Sequence, residues 1–236
     1  MKIRIAYLDE PPFYWTDKEN KVVGADIELA QAVLRALGAT TIEYVHVAFG
    51  ELLPGVAEGR WDMNVPIFIT PERAKSVAFS RPVWALVDGF VVHAGNPKAL
   101  TGYEAVAARG DARLGVIAGQ VQIESAKTAG VTAAQMTVFK DQPEAVAALI
   151  DGRIDAFAGT AVGNRTVAAS NTALESIAHS VGKGSVPVGG FSFSKKNSSL
   201  LSAVNEQLRI YLGSPDHRAR AAKYGLTRSE IDSVVG

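Results

Sequence analysis

The 236-residue sequence contains no cysteine. The absence of a thiol excludes cysteine nucleophiles, thiolate metal sites and disulfides. It does not identify a compartment, because many disulfide-free proteins occur outside the cytoplasm. Any functional site in this protein is therefore built from other side chains.

The sequence also lacks net charge, since Lys and Arg together number 24 and Asp and Glu together number 24. Long runs of like charge are absent as well. A protein with this charge balance has no net charge that would attract nucleic acid or a lipid bilayer. We therefore expect a small-molecule partner and no nucleic-acid partner.

No apolar run approaches the roughly 18 residues that a membrane-spanning helix requires. The sequence begins Met1-Lys2 and passes directly into the strand pattern "IRIAYL", so a secretory signal was either removed or never present. The length suffices for one large domain or for two lobes of about 100 residues each. Both interpretations are open at this point.

A similar pattern occurs in both halves of the chain: "ELLPGVAEGRWDMNVPIF" at 51–68 and "EAVAALIDGRIDAFA" at 144–158. Each predicts an amphipathic helix that ends at a glycine, then Arg-x-Asp, then a strand apolar enough to be covered on both faces. The repetition indicates two similar α/β units.

Strand and helix patterns alternate elsewhere too. "KIRIAYL" and "TIEYVHV" predict strands on either side of a helix, "ADIELAQAVLRALG", whose apolar stripe comprises Ile27, Ala30, Val33, Leu34 and Leu37. In the second half, "ARLGVIAG" and "MTVFK" predict strands on either side of a helix that begins near Gln122. The alternation predicts an α/β fold with two lobes, each a mostly parallel sheet flanked by helices.

Parallel sheets bind ligands outside the carboxyl ends of their strands. The candidate loops are therefore those that follow Leu8, Ile69, Ala118 and Ala158.

Two segments rich in glycine and proline, 91–97 and 182–190, are candidate hinges. They are also compatible with plain loops, but the duplicated unit between them favours hinges. We expect lobe I to comprise residues 1–92 plus 185–236 and lobe II residues 93–184, with a ligand cleft between the lobes. The C-terminal helix pattern "LLSAVNEQLRIYL" then belongs beside the N-terminal unit.

The stretch "IFITPER" indicates an anion site at the end of a buried strand. Thr70 can cap a helix with its hydroxyl, Pro71 suits the first helical position, and Arg73 falls in the first turn. A carboxylate would be held there by a bidentate guanidinium next to backbone N–H groups. The alternative is an ordinary helix start with a solvated Arg73.

The first loop, "DEPPFYWTDKENKVVG", combines a carboxylate at Glu10 with a row of aromatic residues that begins at Phe13. Ring faces and a carboxylate suit a cationic or zwitterionic ligand. Phe49 and Phe68 can supply further rings, although Phe68 also fits a core position. Tyr14 and the residue after it are expected to pack on the "KVVG" hairpin rather than on a ligand.

Five stretches carry a resemblance to a known family: "GADIELAQAVLRALG", "GVAEGRWDM", "FITPERAKSVAFSRPVW", "LGVIAGQ" and "AALIDGRIDAFAG". The sequence resembles the periplasmic solute-binding proteins of ABC importers for polar amino acids, bacterial family 3, over nearly its whole length. The resemblance implies a type II two-lobed fold with two hinge crossovers, ligand capture by lobe closure, and a membrane permease as partner. It also implies a periplasmic monomer, its signal peptide removed, without cofactor or metal.

In that family the arginine equivalent to Arg73 holds the ligand's α-carboxylate, and aromatics equivalent to Phe13 and Phe49 stack on the ligand. The sequence departs from the family at three places. Thr160 stands where amino-acid binders usually have an Asp for the α-ammonium, and Phe68 and Gln120 each replace a threonine. A hydroxyl cannot neutralise a buried ammonium.

The combined set resembles the ectoine and hydroxyectoine binders of this family, in which aromatics and a glutamate hold a delocalised cation. The expected ligand-binding residues are Glu10, Phe13, Phe49, Pro66, Phe68, Arg73, Gln120 and Thr160. Three alternatives stay open: an ordinary polar amino acid binder, the ligand-binding domain of a sensory receptor, and a dehydratase-type enzyme on the same fold.

The sequence offers little for catalysis or metal binding. The four histidines fall in a strand, a presumed hinge, a loop and a C-terminal helix, with no spacing that gathers them: His46, His93, His179 and His217. We expect no catalytic residue, no metal and no cofactor. The enzyme alternative rests on Glu10, which could act as a general base.

Overall fold

The computed structural model describes residues 1–180 and 186–235, and the chain divides into two compact units. Unit 1 comprises Met1–Leu86 and Pro187–Gly236, and unit 2 comprises Val87–Val186. The chain thus leaves unit 1 once and returns to it once.

The first part of unit 1 contains β1 (Lys2–Tyr7), β2 (Trp15–Thr16), β3 (Val22–Val23), α1 (Ala25–Ala36), β4 (Thr41–His46), α2 (Leu52–Glu58), β5 (Met63–Phe68), α3 (Pro71–Ser76), β6 (Ala78–Phe79) and β7 (Trp84–Ala85). Unit 2 contains β8 (Asp88–His93), α4 (Tyr103–Ala107), β9 (Leu114–Ile117), α5 (Gln122–Thr128), β10 (Met136–Phe139), α6 (Gln142–Ile150), β11 (Ala156–Thr160), α7 (Ala161–Ala169) and β12 (Leu174–Ala178). Unit 1 resumes with β13 (Val188–Phe193), α8 (Ser198–Tyr211), α9 (Pro215–Lys223) and α10 (Arg228–Ile231).

Each unit is built on a mixed sheet. In unit 1 the order is β4-β1-β5-β13-β6, with β7 also on β13, and in unit 2 it is β10-β9-β11-β8-β12. Three strands of each sheet are parallel, whereas β13 and β8 run antiparallel to their neighbours. The predicted α/β fold is confirmed, and these two strands are the exceptions that make each sheet mixed. Parallel neighbours need a crossover connection, and neither β8 nor β13 follows a crossover helix of its own unit.

The elements predicted from periodicity are present with nearly the predicted bounds. The stripe on α1 is buried at Ile27, Ala30, Val33 and Leu34. The predicted helix after the first loop, the strands around it, and the C-terminal helix correspond to α1, β1, β4 and α8. Helix α2 ends at Gly59, whose φ of 79° is left-handed, which is the conformation that a glycine C-cap supplies.

The change of unit differs from the expected hinges. Residues 91–93 belong to β8, which pairs with β11 and β12 inside unit 2, and the unit changes earlier, after Leu86. The glycine and proline that suggested a hinge form a turn after β8, where Gly95 and Asn96 have positive φ. Of the second segment, 182–185 lie outside the described residues, as does the expected boundary at 184/185, and 188–190 belong to β13.

The apolar strands of unit 2 are buried on both faces, as their composition predicts. Alternate residues of β8 divide between two apolar clusters, with Phe90 and Val92 in one and Val91 in the other. The same division on β11 sends Phe157 to the second cluster. Helices therefore cover both faces of this sheet.

The duplicated Arg-x-Asp pattern has one structural explanation in both units: its aspartate clamps an arginine at the parallel neighbouring strand, within β1 in unit 1 and just before β9 in unit 2. Asp62 accepts the backbone N–H of Arg4 at 2.8 Å and its guanidinium at 3.2 and 3.3 Å. Asp155 accepts the backbone N–H of Arg113 at 2.8 Å and its guanidinium at 3.1 and 3.3 Å. Each Arg-x-Asp pattern therefore marks the point where its own strand, β5 or β11, joins its parallel neighbour, β1 or β9.

Within the described residues, none of the helices combines the length and the apolar character needed to cross a membrane.

Replacing Asp155 with asparagine should destabilise unit 2, because the bonds to Arg113 and Lys98 would lose the negative charge of their acceptor. We expect Asp155→Asn to lower the free energy of unfolding by about 1.5 to 3 kcal/mol in urea denaturation. Asp151→Asn is the matched control, since its ion pair with Arg153 is exposed and is worth less than about 1 kcal/mol. Equal losses in the two variants would contradict the clamp.

Candidate ligand-binding site

The predicted residues of unit 1 lie at the carboxyl ends of its three parallel strands. Strands β4, β1 and β5 are neighbours. Phe49 follows β4, Glu10 and Phe13 follow β1, and Phe68 ends β5 three residues before α3 begins at Pro71. This is the edge where parallel sheets bind ligands.

Arg73 lies inside this edge rather than on the solvated surface. It is 8% exposed, its Nη1 donates to the carbonyl of Phe68 at 2.7 Å, and its guanidinium carbon lies 5.2 Å from the centre of the Phe49 ring. Burial lowers the pKa of Arg73 to about 10, while Tyr14 and Glu10 oppose that shift. The guanidinium therefore stays protonated at neutral pH, and the alternative of a solvated Arg73 was wrong.

The helix start that carries Arg73 has the predicted geometry. Thr70 caps α3 by accepting the backbone N–H of Arg73 at 3.2 Å, and Pro71 occupies the first turn. A threonine cap followed by proline begins a helix where an N–H would otherwise be unpaired. The cap therefore fixes the start of α3 and with it the position of Arg73 in the first turn.

Glu10 is bonded to an aromatic residue that sequence reasoning did not include in the site. The hydroxyl of Tyr14 donates to Glu10 Oε2 at 3.2 Å, and the backbones of the two residues bond to each other. Burial raises the pKa of Tyr14 well above its usual range, and the charge of Glu10 adds to the increase. Tyr14 stands four residues after Glu10, and the two prolines between them tighten the turn. This spacing is the sequence signal for the contact.

The residue after Tyr14 behaves as expected. Trp15 of β2 pairs with Val23 in the hairpin, and its ring contacts Tyr224. Its side chain is therefore committed to packing within unit 1.

Two of the predicted rings share a neighbour that the sequence did not point to. The ring of Trp84 lies 6.1 Å from that of Phe13 and 5.2 Å from that of Phe68, measured between centroids. Trp84 follows "FSRP" in the sequence, and no spacing rule links it to the first loop. It donates to the carboxyl of Asp26 at 3.2 and 3.3 Å.

Pro66 lies within β5, where the ladder to β13 is irregular. Gly190 pairs with Ile67 and Ser192 pairs with Asn64, so two residues of β5, one of them Pro66, stand opposite one residue of β13. Proline cannot donate to a sheet ladder, and a bulge accommodates it. Pro66 is buried, and its contact with a ligand stays a prediction.

The two predicted residues of unit 2 follow strands β9 and β11, which are parallel neighbours. The backbone N–H of Gln120 donates to Ile117 at 3.1 Å. Strand β11 continues two residues past Ala158, so Thr160 is its last residue and caps α7 by accepting the N–H of Gly163 at 3.2 Å. Both lie at one edge of their own sheet, and their role towards a ligand stays a prediction.

The histidines lie apart in the elements of their own units. His46 is in β4 with its Nε2 3.1 Å from Asp9, and His217 is in α9. His93 ends β8 instead of lying in a hinge, and His179 follows β12. Over residues 1–180 and 186–235, no group of three or more His, Asp or Glu side chains could hold a metal ion.

Known proteins match this chain over almost its full length. The sequence model of the bacterial extracellular solute-binding proteins, family 3, matches residues 3–227. A probable amino-acid ABC transporter periplasmic-binding protein, y4tE, from Sinorhizobium fredii is 29% identical over 240 residues, 98% of this chain and 79% of its own.

Two solved structures extend the match to the fold. The structure of EhuB in complex with hydroxyectoine has a TM-score of 0.87 and 27% identity, covering 96% of this chain and 89% of EhuB. An ancestral arginine-binding protein bound to glutamine has a TM-score of 0.83 and 25% identity, covering 94% of this chain and 97% of its own. The similarity therefore includes both units.

The carboxyl of Asp26 predicts a pH-dependent stability. Burial raises its pKa well above the usual range, Trp84 opposes the increase, and Glu10 adds to it. In the unfolded chain the pKa is about 3.9, so at a pH between this value and the raised one the folded protein binds a proton more tightly than the unfolded chain does. Stability that depends on the protonated Asp26 is therefore lost as pH rises above about 3.9.

We expect Asp26→Asn, which cannot ionise, to raise the free energy of unfolding relative to the parent by more at about pH 7 than at about pH 4. Denaturant unfolding at both pH values measures this difference. Glu19→Gln, at an exposed carboxylate, is the control and should show no such change. A pH-independent difference for Asp26→Asn would contradict the interpretation.

Proposed function

Because this chain belongs to the bacterial extracellular solute-binding proteins of family 3, we propose that it is the substrate-binding component of an ABC importer and captures a small zwitterion outside the cytoplasm. The observation that carries the proposal is the buried, protonated guanidinium of Arg73. It lies at the carboxyl edge of the unit 1 sheet beside aromatic rings and within the field of Glu10.

Arg73 supplies the anion-binding half of the proposed site. Hydrogen bonds to charged groups contribute about 1.5 to 3 kcal/mol each, and a guanidinium can form two parallel ones to a carboxylate. The bond to the Phe68 carbonyl and the ring of Phe49 hold the guanidinium in one orientation. A ligand carboxylate at this point would be fixed in direction, and Phe49 would contact the ligand next to it.

Glu10, Phe13 and Phe68 supply the cation-binding half. Ring faces attract cations by about 0.5 to 2 kcal/mol each, most strongly where water is excluded. Phe13 is 3% and Phe68 9% exposed, so water is largely excluded from both rings. The hydroxyl of Tyr14 orients the Glu10 carboxylate, which then adds a charge opposite to that of the ligand.

The proposed ligand class is an ectoine-like zwitterion with a delocalised cation. Thr160 has a hydroxyl that already caps α7, and it cannot neutralise a compact ammonium. Rings and one carboxylate can satisfy a delocalised cation without a second acid. Gln120 and Thr160 are proposed to add hydrogen bonds from unit 2, and the similarity to a hydroxyectoine-bound protein supports this class.

An ordinary polar amino acid is the second candidate. The observation that favours it is the similarity of nearly the whole chain to an ancestral arginine-binding protein bound to glutamine. Both candidates share the carboxylate and therefore Arg73. They differ in the cation that Glu10 and the rings receive.

The proposed mechanism is closure of the two units on the ligand, with the chain passing between units at Leu86/Val87 and again before Pro187. A ligand that binds the closed state better shifts the population towards it. The proposed partner is a membrane permease that recognises the closed state of a periplasmic, monomeric binding protein. A sensory domain would use the same closure, whereas a dehydratase would change its ligand chemically.

A ligand panel tests the proposed class. Ectoine, hydroxyectoine, glycine betaine, arginine, glutamine and histidine are each added at high excess, and thermal unfolding is followed by calorimetry. A ligand at about 100 times its Kd stabilises the folded protein by about 2.7 kcal/mol. We expect the ectoines to give the largest shift and to be recovered unchanged.

Tight binding of glutamine, histidine or arginine without any binding of ectoine would refute the ligand class and leave the family assignment intact. Chemical conversion of the bound compound would instead support the enzyme alternative.

Substitution of Arg73 tests the anion-binding half. We expect Arg73→Ala to weaken binding of the best ligand by about 2 to 5 kcal/mol, at least about thirtyfold in Kd, because a buried carboxylate loses its partner. Arg73→Lys keeps the charge but cannot form two parallel hydrogen bonds to a carboxylate, so its loss of affinity should be intermediate.

Lys75→Ala is the matched control, since it removes an exposed cation from the same helix. Calorimetry measures the affinities, and circular dichroism shows that each variant is folded. Near-parental affinity in folded Arg73→Ala would refute the assigned role.

A further inference from the structure

We propose that Trp84, held in place by Asp26, positions the rings of Phe13 and Phe68 and thereby sets the selectivity of the cation-binding half of the site. The inference rests on the proposed function only in taking these two rings as ligand-facing. Trp84 and Asp26 themselves are positioning residues that act through the rings.

Trp84 is in ring contact with both phenylalanines. The pair with Phe68 is edge-to-face, with an interplanar angle of 83° at 5.2 Å, and the pair with Phe13 is tilted at 41° and 6.1 Å. The edge-to-face pair has a geometry that aromatic rings prefer, and both centroid distances lie in the range of about 4.5 to 7 Å that is typical of interacting rings. Trp84 is 4% exposed and is packed against both rings, so a displaced indole would displace both of them.

The sheet brings the indole to Phe68 across a glycine. Gly189 of β13 pairs with Trp84 on one side and with Phe68 on the other. A Cβ atom at position 189 would lie only 2.0 to 2.5 Å from three atoms of the indole ring. The indole therefore crosses the space above Gly189, and the absence of a side chain there is what allows Trp84 to reach Phe68.

Asp26 fixes the other end of the indole. Trp84 Nε1 donates to both carboxyl oxygens at 3.2 and 3.3 Å, and Asp26 is 2% exposed. Buried polar groups need such partners, because an unpaired donor or acceptor is costly in an apolar interior. Loss of either group would leave the other without this partner and remove the constraint on the rotation of the indole.

The same residue also holds Phe13 through the backbone. The N–H of Asp26 donates to the carbonyl of Phe13 at 3.0 Å, and the N–H of Ala25 donates to that of Pro12 at 3.0 Å. Gly24, with φ of 134°, permits this approach, since a Cβ there would lie 2.2 Å from the Phe13 oxygen. Asp26 therefore links the first loop, through its backbone, to the indole, through its side chain.

The spacing of the two ligand-facing rings follows from these contacts. Phe13 is on the loop after β1 and Phe68 is at the end of β5, and the indole of Trp84 touches both. A change at Trp84 should alter the binding of a ring-held cation while the carboxylate contact of Arg73 persists. This pattern distinguishes a positioning residue from general support of the fold.

Trp84→Phe tests the proposal against a matched control in the same unit. Trp61 is also 4% exposed, and its indole N–H also donates to a buried side chain, that of Asn64. We expect Trp84→Phe and Trp61→Phe to lower the unfolding temperature similarly. Only Trp84→Phe should weaken hydroxyectoine binding, by about tenfold, which corresponds to the energy of the lost ring contacts.

A ligand-free measurement separates this proposal from the proposed function. The nine phenylalanines are replaced by fluorophenylalanine, and the fluorine NMR signals of Phe13 and Phe68 are assigned by substitution with leucine. Trp84→Phe and Trp61→Phe each add one fluorine signal that the parent spectrum lacks, and that signal is set aside. Trp84→Phe and Asp26→Leu should shift the signals of both Phe13 and Phe68, and Trp61→Phe should shift neither. The signal of Phe157 in unit 2, assigned in the same way, should stay constant. Unshifted Phe13 and Phe68 signals in folded Trp84→Phe would overturn the proposal.

Gly189→Ala provides a second variant that leaves the indole intact. The new methyl group should displace the ring, shift the Phe68 signal and weaken hydroxyectoine binding. In a Trp84→Ala background the same substitution should have little further effect, because the indole atoms nearest to the new methyl group are then absent. If the parent protein binds no compound of the panel, the proposed function fails, and the NMR signals still decide whether Trp84 positions the rings.

Discussion

The proposed site depends on a charged guanidinium kept out of water at the end of a strand. Arg73 is 8% exposed, and the contacts that orient it are the Phe68 carbonyl and the Phe49 ring. Removing a cation from water is unfavourable unless other charges and polar groups compensate. Glu10 and Tyr14 act in that direction on Arg73, so Glu10, which would receive a ligand's cation, also stabilises the cation of the protein.

Both units carry their candidate residues at the carboxyl ends of parallel strands, and both join those strands by the same contact. In each unit an aspartate after a helix and a glycine clamps an arginine within or immediately before the neighbouring parallel strand. The carboxyl ends of the strands joined in this way carry the candidate residues, with Glu10 and Phe68 in one unit and Thr160 in the other. The antiparallel strands β8 and β13 lie beside the three parallel strands and do not separate them. The carboxyl ends of the parallel strands therefore stay together at one edge.

Local patterns predicted most of the elements and the residues next to them. Periodicity, a helix cap and a terminal glycine are properties of short segments, so α1, the start of α3 and the end of α2 were predicted with nearly the observed bounds. Contacts between distant segments were not predicted. Trp84 meets Asp26 across 58 residues, and no spacing rule encodes such a contact. The first hinge was misplaced because its Gly-Asn-Pro signal marks a turn, which has the same composition.

The most direct test of the account is a crystal structure of the protein with the compound from the panel that binds most tightly. We expect the carboxylate of that compound to lie within hydrogen-bond distance of the Arg73 guanidinium and its cation to lie against the rings of Phe13 and Phe68. A bound ligand whose carboxylate lies away from Arg73, with that side chain still on the Phe68 carbonyl, would contradict it.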